Sequence, residues 1–407
     1  MDKPIKIVFA GAYGIENAGD DLPLVIMCRN LSKHFPGKHM EFIVLTRHPS
    51  EWEAGKYGVK QVKNLEFESR EEAVDKWFYG LNEHDDTSRL VSVRELIGSA
   101  DLLILGAGNF FVDITIGLFR GPIPKFALYT LIARMHQVPV MLYGISAGPV
   151  SSDYGRELSK WLTEVADVVT VRDRDSETLL REVLHAKKII SVLPDSTLGG
   201  RLVLPSKSKI LEKENISPKQ RKFFALGLRD LNVVLERDRA EQAWSQLAAF
   251  LNDIGRDHDL LFIPQSTYPF DDDRKTAEKL AELLHPEVTC HIIRNRYHPE
   301  ELMGLYSLAE ATLAIRLHAA VFSVIAGTPV LTVNYLPKIS GFMKSMELES
   351  CLIGLDELKS DILHDRFLKL MENRDALLDH IRHKVVELGR EAENYANLAA
   401  GLIKRKL

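Results

Sequence analysis

The chain has 407 residues, of which 45% are hydrophobic and 27% charged, as in an ordinary folded protein. This composition argues against a disordered, collagen-like or disulfide-scaffold chain, and the length predicts about two or three domains. The formal net charge of -5 gives no basic excess that would favour nucleic acid as the main partner. Three cysteines, Cys28, Cys290 and Cys351, show neither a pairing motif nor metal-ligand spacing, which favours a reducing compartment.

The N-terminus runs straight into a strand-like segment and shows no signal-peptide pattern. The most apolar stretches are too short, or too interrupted by glycine and charge, to span a bilayer as a helix. We therefore expect a cytoplasmic α/β enzyme or binding protein.

The first half of the chain alternates strand-like and helix-like segments. Its apolar runs do not alternate with polar residues, which is typical of parallel strands buried on both faces. The predicted strands are Ile5–Ala10, Phe42–Thr46, Leu102–Leu105, Val138–Tyr143, Val168–Val171 and Ile189–Val192. Helical patterns cover Pro124–Met135 and Ser176–Leu184, the second with Ser176 as a candidate N-cap.

Residues 199–222 lose this periodicity and carry two prolines and many charges, as an inter-domain linker does. A second alternation follows. Its predicted strands are Phe223–Leu228, Leu260–Ile263, Thr289–Ile293, Thr312–Ile315 and Val330–Val333. Its predicted helices are Ala240–Leu251, Arg274–Leu284, Pro299–Ala309 and Ala319–Ala326, and residues 362–403 resemble two amphipathic helices.

These patterns predict an α/β fold of two doubly wound, Rossmann-like domains facing a cleft. We assign residues 1–200 to the N-terminal domain, 201–222 to a linker, 223–360 to the C-terminal domain and 361–407 to C-terminal helices. Those helices could return to the first domain or mediate dimerisation, so the oligomeric state stays open.

Ligands of doubly wound sheets bind beyond the carboxyl ends of the strands. The first strand ends in a loop of three glycines, where Asn17 and Asp20 could contact hydroxyl groups or cap the next helix, or the loop could be a glycine-rich turn with an aspartate cap. The third ends in Gly106-Ala107-Gly108, followed by Asn109 and Asp113. That segment could admit a ligand, or it could be a tight turn with Asp113 as a helix cap.

The strand ends of the second half are cationic. Arg229 follows one strand, Gln265 another, Arg316 and His318 a third, and Lys338 the last. Because the strand ends of a parallel sheet lie side by side, these side chains are expected to converge on one small anionic ligand.

Arg316 and His318 would point to the same side in extended chain, and His318 also lies where a helix should begin. Free N–H groups at a helix start bind anions, and the same field disfavours imidazolium, so His318 could act as a base. Alternatively, Arg316 could form an ion pair across the domain. The cluster Asp271–Asp273 could bind a cation, but a solvated helix start is favoured there.

Several short pieces of the sequence resemble those of a known family. The pieces that carry the resemblance, in the family's order, are GAYGIENAGDD (11–21), LGAGNFFVD (105–113), VRDRDSETLL (171–180), LPDST (193–197), GLRD (227–230), IPQS (263–266), RLH (316–318) and AGTPVLTVNYLPKISGF (326–342). Together they resemble the polysaccharide pyruvyl transferase family, which is similar to GT-B glycosyltransferases in fold and is mostly bacterial. The family moves the carbon skeleton of phosphoenolpyruvate (PEP) onto two sugar hydroxyls as a ketal, and it releases phosphate.

The resemblance implies that His318 is the general acid/base and that Arg229 and Arg316 bind PEP. It implies that Gln265 belongs to the same donor site and that Lys338 binds the anion or assists phosphate departure. The acceptor glycan would contact Asn17, Asp20, Asn109 and Asp113. The implied reaction needs no metal or redox cofactor.

Two departures from the family pattern concern the acceptor side. Glu16-Asn17-Ala18-Gly19-Asp20-Asp21 stands where the family more often has Gly-Asn-x-Gly-Asp-Glu, and Gly106-Ala107-Gly108-Asn109 stands where three glycines and a serine are common. Two other functions stay open, a GT-B glycosyltransferase that uses a nucleotide sugar and a non-catalytic binding protein on an inherited fold. A peripheral contact with the inner face of a membrane, through a lipid-linked acceptor, is also open.

Overall fold

The computed structural model describes residues 3–67, 87–113, 121–199, 207–217, 221–269 and 271–407. The chain divides into two compact units. The first comprises Met1–Ile15, Pro23–Gly200 and Arg390–Leu407, and the second comprises Glu16–Leu22 and Arg201–Gly389. Residues 16–22 thus belong to the second unit, although the residues on both sides of them belong to the first.

A parallel sheet forms the centre of the first unit. Its described strands are β1 (Ile5–Ala10), β2 (Met40–Thr46), β3 (Lys60–Lys63), β4 (Leu102–Phe111), β5 (Val140–Ala147), β6 (Val168–Val171) and β7 (Ile190–Val192). The helices along this part of the chain are α1 (Ala18–His34), α2 (Glu51–Tyr57), α3 (Ser88–Gly98), α4 (Pro122–Met135), α5 (Asp153–Val165) and α6 (Arg174–Thr178). The strand order is β3-β2-β1-β4-β5-β6-β7.

The second unit has a parallel sheet of the same winding. Its described strands are β8 (Lys222–Gly227), β9 (His258–Phe262), β10 (Cys290–Ile292), β11 (Ala309–Ala314), β12 (Val330–Asn334) and β13 (Leu352–Gly354). The remaining helices are α7 (Lys207–Lys213), α8 (Arg237–Ile254), α9 (Asp273–Ala281), α10 (Pro299–Tyr306), α11 (Leu317–Ile325), α12 (Pro337–Ser345), α13 (Ser360–Glu372), α14 (Arg374–Ala392) and α15 (Asn394–Lys406). The strand order is β10-β9-β8-β11-β12-β13.

The apolar runs of the central strands are buried on both faces of each sheet. Leu103 and Leu105 of β4 are fully buried, as are Phe224 and Leu226 of β8. In each sheet the strand order reverses direction beside the first strand, between β1 and β4 and between β8 and β11. Doubly wound sheets bind ligands at such a point.

The predicted α/β class with two doubly wound sheets is confirmed, and each predicted strand overlaps an observed one. The edge strands β3 and β13 were not predicted, since each is short and β3 is rich in polar residues. The predicted helix at Ser176–Leu184 begins at Arg174 with Asp173 as its N-cap, and residues 179–183 form a π-helical turn. Within the predicted linker, Lys207–Lys213 form α7; residues 201–206 and 218–220 lie outside the described residues.

Of the two alternatives for Gly106-Ala107-Gly108, the tight turn is wrong, because β4 runs on to Phe111. Gly106 adopts φ +136°, and a side chain there would meet the carbonyl oxygen of Tyr143 on β5 at 2.1 Å. Glycine therefore serves the close approach of two neighbouring strands here.

The prediction of two helices over 362–403 is also wrong. Three helices, α13, α14 and α15, cover this part of the chain. The last of them belongs to the first unit, where the Tyr395 ring packs edge-on against Tyr143 with 5.0 Å between ring centroids.

Candidate active site

Five predicted donor-site residues lie at neighbouring strand ends of the second sheet. Arg229 follows β8, Gln265 follows β9, Arg316 and His318 follow β11, and Lys338 lies beyond β12 in the first turn of α12. The strand order reverses between β8 and β11, so the two arginines and the histidine flank the place where doubly wound sheets bind ligands.

Arg316 is the N-cap residue of α11, and 7% of it is exposed. Its Nε and Nη2 atoms donate to Asp273 Oδ1 at 3.0 and 2.6 Å, and Nη2 lies 2.8 Å from Asp271 Oδ2. Arg316 is thus paired with two carboxylates, which is the ion-pair alternative considered from the sequence. Its Nη1 atom forms no hydrogen bond with any residue that the structure describes.

Asp273 fixes this arginine to the start of α9. Its Oδ2 atom accepts hydrogen bonds from the backbone N–H groups of Gln265 and Ser266, at 2.9 and 3.0 Å. Burial raises the pKa of the Asp273 carboxyl, and the Arg316 guanidinium opposes that shift. Burial lowers the pKa of Arg316 in turn, but Asp273 and Asp271 outweigh it and raise that pKa above its usual value. The solvated helix start that we predicted at 271–273 is therefore wrong for Asp273, which is 3% exposed.

Arg229, which follows β8, approaches the Asp271 carboxylate that Arg316 also contacts. Its Nη2 atom lies 4.0 Å from Asp271 Oδ2, and its Nη1 atom donates to the Tyr335 hydroxyl at 3.1 Å. The guanidinium also lies over the Tyr335 ring, 5.8 Å from the centroid. Its Nε atom is buried without a hydrogen-bond partner among the described residues. Asp271 consequently contacts both arginines that were predicted to bind the donor.

His318 is half-buried in the first turn of α11. The chain is helical from Leu317, so the same-side argument for extended chain at positions 316 and 318 does not apply. The imidazole packs directly against Gly19, because a Cβ atom at Gly19 would lie 2.0 Å from His318 Nδ1. The His318 and Phe322 rings are 6.4 Å apart between centroids.

Residues 16–22 bring Gly19 to this position through backbone pairing with the loop after β9. Ala18 N donates to Gln265 O at 2.9 Å, and Thr267 N donates to the backbone oxygen of Glu16 at 3.0 Å. Glu16 also lies 3.2 Å from Arg296 through its carboxylate. This segment is therefore part of the histidine's surroundings within the second unit.

Asn17 and Asp20 occupy the two ends of one helical turn in this segment. Asn17 Oδ1 accepts a hydrogen bond from Gly19 N at 3.1 Å, as an N-cap side chain does. Asp20 is the third residue of α1, so the alternative of an aspartate cap is wrong, and asparagine takes that role. Both residues belong to the second unit, whereas Asn109 and Asp113 belong to the first.

Gln265 is 2% exposed and donates through Nε2 to the Tyr306 hydroxyl at 2.9 Å. Its Oε1 atom is buried without a partner among the described residues. Buried polar atoms are rarely left unpaired in native proteins, so this oxygen is available to a ligand or water at the strand ends. Lys338 is half-buried in the first turn of α12.

In the first unit, Asn109 is exposed on β4, and Asp113 follows the end of that strand. Asp113 Oδ2 accepts a hydrogen bond from Ser152 N at 2.5 Å, and Ser152 in turn caps α5. The Asp113 carboxylate therefore anchors the loop that precedes α5.

Two polar clusters of the first unit were not predicted as sites. Arg172 donates to Ser146 Oγ at 2.6 Å and to Asp195 Oδ2 at 3.3 Å, which explains why the VRDRDSETLL and LPDST pieces carry polar residues after short strands. In the other cluster, Glu66 accepts from Lys125 and from Arg47, both at 2.8 Å. Sequence offers little signal for such clusters, because their members lie far apart along the chain.

Among the described residues, no group of three or more His, Cys, Asp or Glu side chains is arranged to hold a metal ion. None of the helices described here is both long enough and apolar enough to cross a membrane. The three cysteines are unpaired; Cys28 and Cys351 are buried and Cys290 is half-buried.

Two Rossmann-type parallel sheets are typical of the GT-B fold class, and solved structures of that class are similar over nearly the whole chain. UDP-GlcNAc 2-epimerase from Neisseria meningitidis, solved bound to UDP-GlcNAc, has a TM-score of 0.57 at 13% identity, over 98% of this chain and 100% of that one. Anabaena Alr3699/HepE, solved in complex with UDP and glucose, has a TM-score of 0.58 at 10% identity, over 98% of both chains. At these identities the likeness shows the fold alone.

The family model for polysaccharide pyruvyl transferase matches residues 17–337, so the chain belongs to the polysaccharide pyruvyl transferase family. The resemblance found in the sequence is thereby confirmed. A curated relative, amylovoran biosynthesis protein AmsJ of Erwinia amylovora, is 23% identical over 273 residues, which are 64% of this chain. The match spans 61% of the length of that relative.

Proposed function

We propose that this protein transfers the pyruvyl group of PEP to two hydroxyl groups of a polysaccharide or its precursor, with formation of a cyclic ketal and release of phosphate. Family membership supports a pyruvyl-transfer role in polysaccharide synthesis, as does the relative named for amylovoran biosynthesis. One observation carries the choice of donor: Arg229 and Arg316 meet at a single carboxylate oxygen, Asp271 Oδ2.

PEP carries a carboxylate and a phosphate, and guanidinium groups bind both through charge-assisted hydrogen bonds. Nη1 of Arg316 and Nε of Arg229 have no partner among the described residues, so each has a donor to offer. Asp273 holds Arg316 in place before the ligand arrives, which lowers the entropic cost of binding. Lys338 and Gln265 complete the donor site in this proposal.

The reaction balances without a redox step. One sugar hydroxyl oxygen bonds to C2 of PEP while C3 gains a proton and becomes a methyl group. The second hydroxyl oxygen then bonds to C2 as the C2–O bond to phosphate breaks. Of the two hydroxyl protons, one replaces the proton taken up by C3 and the other leaves with the phosphate.

His318 is the proposed general acid/base for these transfers. An imidazole exchanges protons near neutral pH and can both give a proton to C3 and accept one from a hydroxyl group. Its place in the first turn of α11, two residues after Arg316, supports this role. Packing against Gly19 restricts where the ring can lie, which general acid/base catalysis requires.

For the acceptor, we propose contacts with the segment of the second unit that packs against His318, where Asp20 lies in the first turn of α1 and Asn17 shapes the turn by accepting a hydrogen bond from Gly19 N. The contacts of Asn109 and Asp113, which belong to the first unit, stay predictions from the sequence. If the acceptor is a lipid-linked precursor, the reaction takes place at the cytoplasmic face of a membrane.

Phosphate release from PEP in the presence of candidate glycans tests the proposal. We expect release that depends on glycan and that falls by at least about a hundredfold in His318→Ala, as for loss of a general acid/base. His285→Ala is the matched control, because His285 is an exposed histidine of the same unit. A folded protein that neither binds PEP in calorimetry nor releases phosphate contradicts the proposal.

A second candidate is a GT-B glycosyltransferase with a nucleotide-sugar donor. It is favoured by the fold shared with proteins that were solved with UDP or UDP-GlcNAc. The same arginines would then hold a diphosphate. Thermal stabilisation by UDP or GDP sugars, with none by PEP, would support this candidate over pyruvyl transfer.

A further inference from the structure

One carboxylate lies between the two guanidinium groups that we assign to the donor. Asp271 Oδ2 is 2.8 Å from Arg316 Nη2 and 4.0 Å from Arg229 Nη2. A ligand anion that uses both arginines would have to share this space with a side chain of the same charge.

Asp271 differs from Asp273 in how firmly it is held. Asp273 is buried and accepts hydrogen bonds from two backbone N–H groups and from Arg316. The Asp271 side chain is 33% exposed, and its carboxylate contacts only the two arginines among the described residues. When the Asp271 carboxylate leaves, Arg316 keeps its pairing with Asp273, so the departure costs less than the loss of Asp273 would.

The charges of these four side chains also favour exchange of Asp271 for a ligand anion. Arg229 and Arg316 carry two positive charges, and Asp271 and Asp273 carry two negative charges. With Asp271 in contact the group is neutral, which stabilises the two arginines side by side without ligand. With Asp271 turned away, a positive charge is exposed to an incoming anion.

We propose that Asp271 is an internal competitor of the donor anion. It occupies the arginine pair in the unliganded protein, is displaced by the carboxylate or phosphate of the ligand, and returns when phosphate leaves. The proposal rests on the proposed function in one respect, that the ligand anion binds to Arg229 and Arg316. It adds a residue that sets donor affinity without taking part in bond formation.

Calorimetric titration of Asp271→Asn with PEP and, separately, with inorganic phosphate tests the proposal. We expect both ligands to bind about fivefold more tightly than to the wild type, because a like charge that faces them through partial solvent screening is gone. The KM for PEP should fall to the same extent while kcat does not rise. Asp271→Ser, which also removes the carboxylate and suits a turn, replaces Asp271→Asn if the asparagine variant does not fold.

The matched control is Asp272→Asn. It removes the same charge one residue away, from a side chain that caps α9 and pairs with Arg274, where asparagine remains a good cap. We expect its affinities to stay within about twofold of the wild type, because its carboxylate pairs with Arg274 rather than with Arg229 or Arg316.

The outcomes separate the two proposals. If the wild type binds PEP and Asp271→Asn binds it equally or less tightly, Asp271 is not a competitor, and the proposed function stands. If neither protein binds PEP, the proposed function fails. The phosphate titration then decides about Asp271, since unchanged or weaker phosphate binding overturns the competitor proposal and tighter binding supports it.

Discussion

Gly19 is in direct contact with the imidazole of His318, so that a single added methyl group would overlap the ring. The Cβ atom of an alanine at position 19 would lie 2.0 Å from Nδ1 and 2.1 Å from Cγ. Because Gly19 lies within α1, alanine would ordinarily be the better residue for the helix. The glycine is explained by the histidine beside it.

Gly19→Ala should therefore displace His318 and lower kcat by about tenfold or more, since small misplacements of reacting groups are costly. PEP affinity should change little, because Arg229 and Arg316 are held by Tyr335, Asp271 and Asp273. Phosphate-release kinetics and calorimetry measure the two effects. Gly401→Ala is the control: its Cβ meets open space in α15, and it should leave activity unchanged. Equal kcat in Gly19→Ala and the wild type would contradict the placement of His318.

Tyr335 contacts Arg229 in two ways, through a hydrogen bond from Nη1 to its hydroxyl and through a cation–π contact with its ring. Tyr335→Phe keeps the ring and removes the hydroxyl, so PEP affinity should fall about fivefold, the value of one hydrogen bond near 1 kcal/mol. Tyr335→Leu removes the ring as well and should weaken PEP binding further. Calorimetry measures the dissociation constant of PEP for each variant. If Tyr335→Leu binds PEP like the wild type, Arg229 does not depend on this ring.

Asp273 is the buried counter-ion of Arg316, and its loss would leave a buried guanidinium poorly compensated. We expect Asp273→Asn to lower the free energy of unfolding by about 3–5 kcal/mol, as when one partner of a buried pair is removed. Denaturant unfolding measures the change. Asp272→Asn, at the adjacent position, should cost less, about 1–2 kcal/mol, because asparagine keeps the N-cap and Arg274 is more exposed than Arg316. Similar losses in the two variants would show that the pairing with Arg316 is not the cause.

Glu66 makes stability depend on pH in the acidic range. Burial alone would raise the pKa of Glu66, but Lys125 and Arg47 outweigh it and hold that pKa at about 2, below the ordinary 4.5. The folded protein thus favours the ionised form, and the resulting stability is present above pH 4.5 and lost as the pH falls towards 2. Unfolding free energies of the wild type and Glu66→Gln should converge over that range. Parallel pH profiles would contradict the assignment.

The sequence predicts the central strands well because they are continuous apolar runs, such as Val168–Val171, that need burial on both faces. It also places Arg229, Arg316 and His318 at strand ends, because strand ends follow directly from the runs. The strand order, and hence the reversal between β8 and β11, depends on pairing between distant segments that no local pattern encodes.

For the same reason the partners of the site residues were missed. Asp271 and Asp273 resemble an ordinary acidic helix start, and only the folded sheet brings them to the arginines that follow β8 and β11. Nothing in the sequence around Gly19 indicates its contact with His318, which is far along the chain. A turn was one interpretation of Gly106 because glycine is common in turns, whereas here it lets two strands approach.

The assignment of residues 16–22 to the second unit has a consequence for folding during translation. The hydrogen bond from Thr267 to Glu16 joins residues 251 positions apart. His318, which packs against Gly19, is synthesised later still. Contacts of such high sequence separation form slowly. During translation the nascent first unit therefore carries a short segment whose partner has not yet been made, and the surroundings of His318 are completed only after most of the polypeptide has been synthesised.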